Sequence, residues 1–420
     1  MTNRRAVFVC CDGLGRNWMR RETTPVLHEI AGRSLWCDDH HAVFPSVTRV
    51  SAASVATGCQ PGRHGLHGNR MGLMEGGRVV VRDVGDPAFR DHMRRATGRT
   101  LHVPALAERV ADAGGCVAFS NVSPGAAYFL DPDCHGHVYH RAGSYAPGGV
   151  RIEGADALSV SHDGAGDWTM SQRFCAEVLE QRRPAVALLW LADPDLTLHG
   201  VPLGSPAHGA ALAGAERCVA EVVRAVGRLR AAGEDILLMI GSDHGQETIG
   251  ESIDLDAWLT AHGLGDALAA GDVAVAGQGT AAVLYATDRG RGGLLDVLDE
   301  MRRMPWAANV VADEKGLAAH GFAARQGIVA AVNMARRDEP NAFGIPGRRY
   351  VVAEPGKAAA IGCGQHGGWG PDETRPFLMV DDGGRSCGAI GRVTSLTDIA
   401  PTIVRHLGLP VEGFDGAPLL

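Results

Sequence analysis

The chain has only two lysines, Lys315 and Lys357, in 420 residues, so its positive charge is almost wholly arginine. Acidic residues outnumber basic ones, 48 to 40, giving a formal net charge of -8 and a pI near 6.1. A protein that lives on the phosphate backbone of nucleic acid needs a basic surplus to displace counterions, so no nucleic-acid polymer is expected as a partner. Long apolar runs are missing too. The longest, at 185–192 and 236–240, fall far short of the roughly 20 residues that span a bilayer, and no membrane association is expected. The ten cysteines form no CxxC pair, which excludes a thiolate zinc cluster and argues against a dense disulfide scaffold. A reducing, cytoplasmic setting is the expectation. Arg4 and Arg5 precede an apolar run that stops at Asp12 with no small-residue cleavage pattern, which reads as a first strand and not a signal peptide. There is no P-loop, GxSxG elbow or HExxH, and the glycines after Asp12 lack the dinucleotide spacing.

What is present is an ordinary globular balance, 45% hydrophobic and 21% charged, with 57 glycines in no G-X-Y period. Three short apolar runs stand out, and each ends in acid or glycine: AVFVCC-DG from Ala6, AVALLWLA-DPD from Ala185 and ILLMI-GSDHG from Ile236. Helical patterns lie between them, at 25–31 behind Thr24, 101–113, 169–182 and 205–232, with a last helix at 396–407. Short buried strands joined by helical crossovers predict an α/β fold with a mostly parallel central sheet flanked by helices. Weaker signals at 273–276, 281–285 and 292–304 predict a smaller inserted α/β lobe over 251–362. The core then comprises 1–250 and 363–420.

In open α/β sheets the loops beyond the strands' carboxyl ends converge on one crevice, so acids at three such ends point to a site. Asp195 and His199 in DPDLTLHG, four apart, fall on one side of a helical turn. A carboxylate with a neutral imidazole suits zinc and is acceptable to manganese or iron. Asp193 fits that spacing less well and reads as a supporting residue. Asp243 and His244 in SDHG converge only at the bend beyond their strand. Asp12 in CDG and His366 in the glycine-flanked GQHGGWG complete the set. Thr48, in FPSVTRVSAASVATG, is the nucleophile candidate at an exposed start of a helix over 50–56. Its hydroxyl needs a base or a metal to react, and the helix start aims N–H groups at an anion. Ser46 and Ser51 read as helix caps. Asn69 in HGLHGN offers an amide donor to a charged oxygen. His64 and His67 beside it read as structural or supporting residues.

Taken in order, Asp12, Thr48, Asn69, Asp195/His199, Asp243/His244 and His366 resemble the alkaline phosphatase superfamily. The resemblance is to its nucleotide pyrophosphatase/phosphodiesterase branch, which includes phosphonoacetate hydrolases. FPSVT, ATG and HGLHGN carry it, with DPDLTLHG, SDHG, QHGG and a final TSLTDIAPTIVRHLGLP, so it frames residues 6 to 410. It implies an alkaline-phosphatase-like core and two zinc ions, with manganese or iron acceptable at one position. One ion would be held by Asp12, Asp243 and His244 and bind Thr48; the other by Asp195, His199 and His366. It implies in-line attack by Thr48, a phosphothreonine intermediate and oxygen binding by Asn69. The substrate would be a small phosphodiester or nucleotide pyrophosphate, met by a monomer or homodimer. The alternative is a phosphonate monoester or a C–P bond, as in phosphonoacetate hydrolase. Those enzymes hold the substrate carboxylate with lysines in the segment matching 116–140, where this chain has none and offers Asn121, Ser123 and Tyr128. Arg49 is placed to pair with a second anionic oxygen. Loops near 128–140 and 320–325 are expected around the organic group, with Trp369 either a pocket wall or a packing aromatic.

Overall fold

A computed structural model describes residues 4–420. Its centre is a ten-stranded mixed sheet in which Arg4–Cys11 lies between Val186–Leu191 and Asp235–Gly241, parallel to both. Cys116–Ser120 and His137–His140 extend the parallel set, and on the other side Leu378–Asp381 pairs antiparallel to Asp235–Gly241, with the short strands Leu35–Trp36 and Gly388–Ala389 beyond it. Cys11 pairs with Leu191, and Cys10 with Gly241. That register brings the acid-bearing loops after all three strands to one edge.

Alternate residues of these strands point to opposite faces, and both faces are covered, so the strands are apolar throughout. Val7, Val9, Leu189 and Phe119 pack beneath the long helix Pro206–Ala231 through Leu212, Val219, Val222 and Val226. Ala6, Phe8, Leu188 and Trp190 pack on the other face against Val50 and Val55 of helix Thr48–Thr57 and Ile399 and Ile403 of helix Ile399–His406. The helix that opens at Thr48 is therefore fixed to the sheet by its apolar side.

Two four-stranded sheets stand beside this core. One is antiparallel and joins Val273–Gly277, Ala281–Ala286, Ile328–Met334 and Ala307–Val311. Helix Asp288–Met301 packs on it through Leu294, Leu298 and Met301. The other joins Arg336–Arg337, Arg348–Val352, Glu247–Ile253 and Gly364–Gln365. Its third member begins three residues after His244, and its last ends directly before His366.

Several local expectations change. The helix expected over 101–113 is only Leu106–Arg109 followed by a 3-10 turn, because Pro104 disfavours helical geometry in the residue before it. Thr24 precedes helix Pro25–Ala31 as expected, but its hydroxyl donates to the Trp18 carbonyl instead of capping. The helix expected from 169 starts at Gly164, where Asp163 accepts from Gly166 N, and passes into a π-helical stretch at Phe174–Arg182. Ser51 lies inside helix Thr48–Thr57 and Ser46 two residues before it, so neither is a cap. Among the described residues no helix is long and apolar enough to cross a membrane.

Candidate metal centre and nucleophile

Asp12 leaves the end of the first strand fully buried, and its Oδ2 accepts from the indole Nε1 of Trp190 at 3.0 Å. Asp243 accepts from Gly13 N at 3.1 Å through Oδ1, while its buried Oδ2 has no hydrogen-bond partner. His244 Nε2 lies 3.3 Å from Asp12 Oδ1 and 3.2 Å from Asp243 Oδ2. Donor atoms of Asp12, Asp243 and His244 all fall within 4.8 Å of one another, as do those of Asp195, His244 and His366.

The second group gathers on Asp195. Its Oδ2 is 3.3 Å from His199 Nε2, one helical turn on, and its Oδ1 is 3.3 Å from His366 Nε2. Gln246 Nε2 also donates to that Oδ1. The rings of His244 and His366 stack with centroids 3.6 Å apart, whereas His199 stands farther out at the mouth, 5.3 Å from the His366 ring. The sequence-derived trio Asp195, His199 and His366 is thus brought together. The tightest donor grouping, however, has His244 in place of His199, because His199 sits on a short turn at the open rim.

The electrostatics are those of a cation site. Burial, with Asp243 and Asp195 nearby, pushes the Asp12 carboxyl well above the usual range. Burial pushes Asp243 up to about 7 against the Gly13 N–H. Both deeply placed imidazoles are oriented from behind: Nδ1 of His244 faces the Gly245 carbonyl at 3.0 Å and Nδ1 of His366 faces the Ser46 carbonyl at 2.7 Å. With Nδ1–H spent on a carbonyl, each Nε2 presents a lone pair to the cluster. Burial holds His244 well below its usual value; burial also lowers His366, but Asp195, the Ser46 carbonyl and Asp243 together raise it above its usual value. Crowded carboxylates, an unpartnered buried oxygen and two oriented imidazoles fit divalent cations with oxygen and nitrogen preference.

Thr48 opens its helix behind Val47, with Oγ1 3.2 Å from His244 Nε2 and 3.4 Å from Asp12 Oδ1. It is buried at 8% exposure, so the exposed helix start expected from sequence is instead the floor of a cavity. That cavity, of about 200 Å³, is shared by Asp12, Thr48, Asn69, Asp195, His199 and His366. Asn69 is fixed through its amide N–H, which donates to Gln278 Oε1 at 2.7 Å, and its Oδ1 accepts from Arg49 N at 3.4 Å. Arg49 lines the cavity, but its guanidinium donates to the Asn69 carbonyl at 2.7 Å, to Ser123 Oγ at 3.2 Å and to the Asp83 carboxylate. Ser123, Val122 and His162 also line it. A second cavity of about 290 Å³ adjoins through Arg49, Asn69, His199 and His366, with Arg70 and Lys357 on its walls.

Other expected residues lie elsewhere. The Tyr128 hydroxyl donates to the Gly143 carbonyl at 3.0 Å, and the ring packs edge-on against His140 and Tyr145, outside the lining of the cavity that holds Thr48. Trp369 stacks on Phe44 and packs tilted against His320, at centroid distances of 4.3 and 4.0 Å, beside a separate cavity of about 350 Å³. Asp193 accepts from Thr197 within its own turn. His64 is buried against Ser54 Oγ at 3.0 Å. Trp190, Gln246 and Gln278 were not legible as site residues: the first reads as strand core, and glutamines after a metal motif or in a turn carry no pattern.

No curated protein matches the chain. Among solved structures, an inactive variant of murine ectonucleotide pyrophosphatase/phosphodiesterase 5 in complex with AMP superposes with a TM-score of 0.67 at 16% identity, covering 99% of this chain and 97% of that one. Phosphonoacetate hydrolase from Sinorhizobium meliloti 1021 in complex with phosphonoformate gives 0.66 at 16% identity, covering 97% and 96%. The human ectonucleotide pyrophosphatase/phosphodiesterase 5 gives 0.64 at 17%, covering 98% and 97%. These likenesses show the shared fold, an alkaline-phosphatase-like core. The profile of type I phosphodiesterase / nucleotide pyrophosphatase matches residues 6–329, more than half of the chain, and the chain belongs to that family.

Proposed function

We propose that the chain is a metal-dependent hydrolase that cleaves small phosphodiester or nucleotide pyrophosphate substrates, with Thr48 as nucleophile. The observation that carries this reading is the Thr48 hydroxyl, 3.2 Å from His244 Nε2 and 3.4 Å from Asp12 Oδ1 at the floor of an open cavity. Asp12, Asp243 and His244 would hold one divalent cation and Asp195, His199 and His366 a second, zinc by donor type, supplying Lewis acidity to the hydroxyl and to the phosphoryl oxygens. Thr48 Oγ1 forms the new bond to phosphorus as the leaving oxygen departs, and water then releases Thr48. The Asn69 side-chain amide is the donor for a non-bridging oxygen, and its fixed backbone keeps that donor from reorganising as charge develops. Val47 and the apolar face of helix Thr48–Thr57 hold the hydroxyl's approach angle.

Arg49 favours diesters over monoesters. A monoester brings a further anionic oxygen, and the one guanidinium in the catalytic cavity is already engaged by Asp83, Asn69 and Ser123. The adjoining cavity, which opens between Arg49 and Asn69 on one side and His199 and His366 on the other, is the space for the departing group. The competing reading, a C–P bond or phosphonate monoester hydrolase, is decided by turnover. The panel is bis-p-nitrophenyl phosphate, p-nitrophenyl phosphate, a phosphonate monoester, a nucleotide pyrophosphate and phosphonoacetate. Diesters or pyrophosphates should lead in kcat/KM. Phosphate release from phosphonoacetate promotes the competing reading, and activity on the monoester alone overturns the diester assignment.

A further inference from the structure

The loop that delivers His366 is held from outside the metal centre. Four successive amide N–H groups after His366 are each taken by a side chain. Gly367 N donates to Ser46 Oγ at 3.1 Å, Gly368 N and Gly370 N to the Glu373 carboxylate at 3.1 and 2.7 Å, and Trp369 N to Asn333 Oδ1 at 2.9 Å. Glu373 is fully buried and accepts two more donors, Thr280 Oγ1 at 2.5 Å and Arg349 Nη2 at 3.2 Å. Arg349, 3% exposed, also donates to Asn333 Oδ1 at 2.7 Å and sets Nε 3.3 Å from Glu247 Oε2.

The anchors come from particular places. Thr280, Asn333 and Arg349 belong to the two smaller sheets or the turn entering them, while Ser46 precedes the nucleophile helix and Glu247 follows the His244 bend. The loop is also closed sterically. A Cβ at Gly368 would stand 2.6 Å from Asn333 Oδ1, and one at Gly370 would stand 1.9 Å from Glu247 Oε1. A stretch with glycine at 367, 368 and 370 has high backbone freedom of its own and cannot keep an imidazole at a fixed point. A buried, multiply bonded carboxylate removes that freedom, at the cost of seating two carboxylates on one guanidinium.

We infer that Glu373 is a positioning residue for His366 and that, with Arg349, it makes occupation of the Asp195–His366 metal position depend on the packing of the smaller sheets. The inference rests on the two-metal reading above. A loop support of purely structural value lowers stability and leaves the two metal affinities in their original ratio. A positioning residue changes that ratio.

The test is zinc titration of chelator-stripped protein by calorimetry and equilibrium dialysis. Wild type should take two equivalents. Glu373→Gln keeps the volume but loses the charge and an acceptor. The tighter equivalent should be unchanged and the second about 10–100-fold weaker, as for losses behind other metal ligands. Excess zinc should restore kcat. Thr280→Val, which removes one donor to Glu373 at constant size, should shift the second equivalent in the same direction by less. A folded Glu373→Gln protein with both affinities unchanged, or both weakened alike, overturns the inference while an active two-zinc wild type leaves the hydrolase reading standing. If Glu373→Gln does not fold, an unchanged second affinity in Thr280→Val overturns it. A wild type that takes up no zinc and hydrolyses nothing sinks the hydrolase reading and this inference with it.

Discussion

Metal uptake should release protons and strengthen with pH up to about neutrality. The perturbation is pH alone, between 5 and 9, on stripped protein. Burial raises Asp243 to about 7, so at pH 5 it is protonated in the metal-free chain, and burial shifts Asp12 in the same direction. A cation must displace such protons. From Asp243 alone, two pH units below its value cost about 2.7 kcal/mol, roughly a hundredfold in affinity, at 1.36 kcal/mol per unit. Asp12 and the raised His366 add to that slope. The metal-free protein should show the opposite trend in stability. A carboxyl raised in the fold binds protons that the unfolded chain has already lost, so its contribution is present below about pH 4 and is lost as pH rises through about 7. Calorimetric zinc binding in two buffers of different ionisation enthalpy reads the proton release directly. Zinc affinity independent of pH from 5 to 7, with no buffer-dependent heat, would refute the claim that these carboxyls are forced up by burial beside one another.

Thr48→Ala should fold normally, since Val47 and not Thr48 caps the helix, while kcat/KM falls at least about 10³-fold, or about 4 kcal/mol. Thr48→Ser, measured at matched zinc occupancy, should keep a substantial fraction. An alanine variant within a few-fold of wild type would assign the chemistry to another nucleophile. Trp190→Phe removes the indole donor behind Asp12 Oδ2, so zinc affinity at the Asp12 position should drop about tenfold with little change in fold; unchanged affinity would make the 3.0 Å contact incidental.

The sheet and the three acid-bearing strand ends were legible because a buried parallel strand reads as an unbroken apolar run, and the turn after it must break that run visibly. Asp12, Asp195 and Asp243 each stand just beyond such a run. Thr48 and Asn69 carry no periodic signal; a hydroxyl at a helix start and an amide in a glycine-rich turn mark them as candidates, and the resemblance of their motifs gives them roles. The helix start at Thr48 looks exposed from sequence, which gives no view of the loops that roof it, Asn69 and Ser123 among them. The shortened helix at Leu106–Arg109 shows a proline overriding a helical pattern. Glu373, Arg349 and Gln278 were illegible for a different reason. Each has at least one partner far along the chain, Thr280 for Glu373, Glu373 for Arg349 and Asn69 for Gln278, and a long-range hydrogen bond leaves no spacing to read. Trp190 is both core and ligand support, and its first role hides the second.

The central claim is that Thr48 itself becomes bonded to phosphorus. Acid-quenching the zinc-loaded enzyme within the first turnovers of a diester, followed by peptide mass analysis, tests that bond without reference to rate. A phosphoryl-ester adduct on Thr48 should appear, disappear as substrate is exhausted and never form in Thr48→Ala. Full turnover with Thr48 unmodified at every quench time, or an adduct on Ser46 in its place, would contradict it.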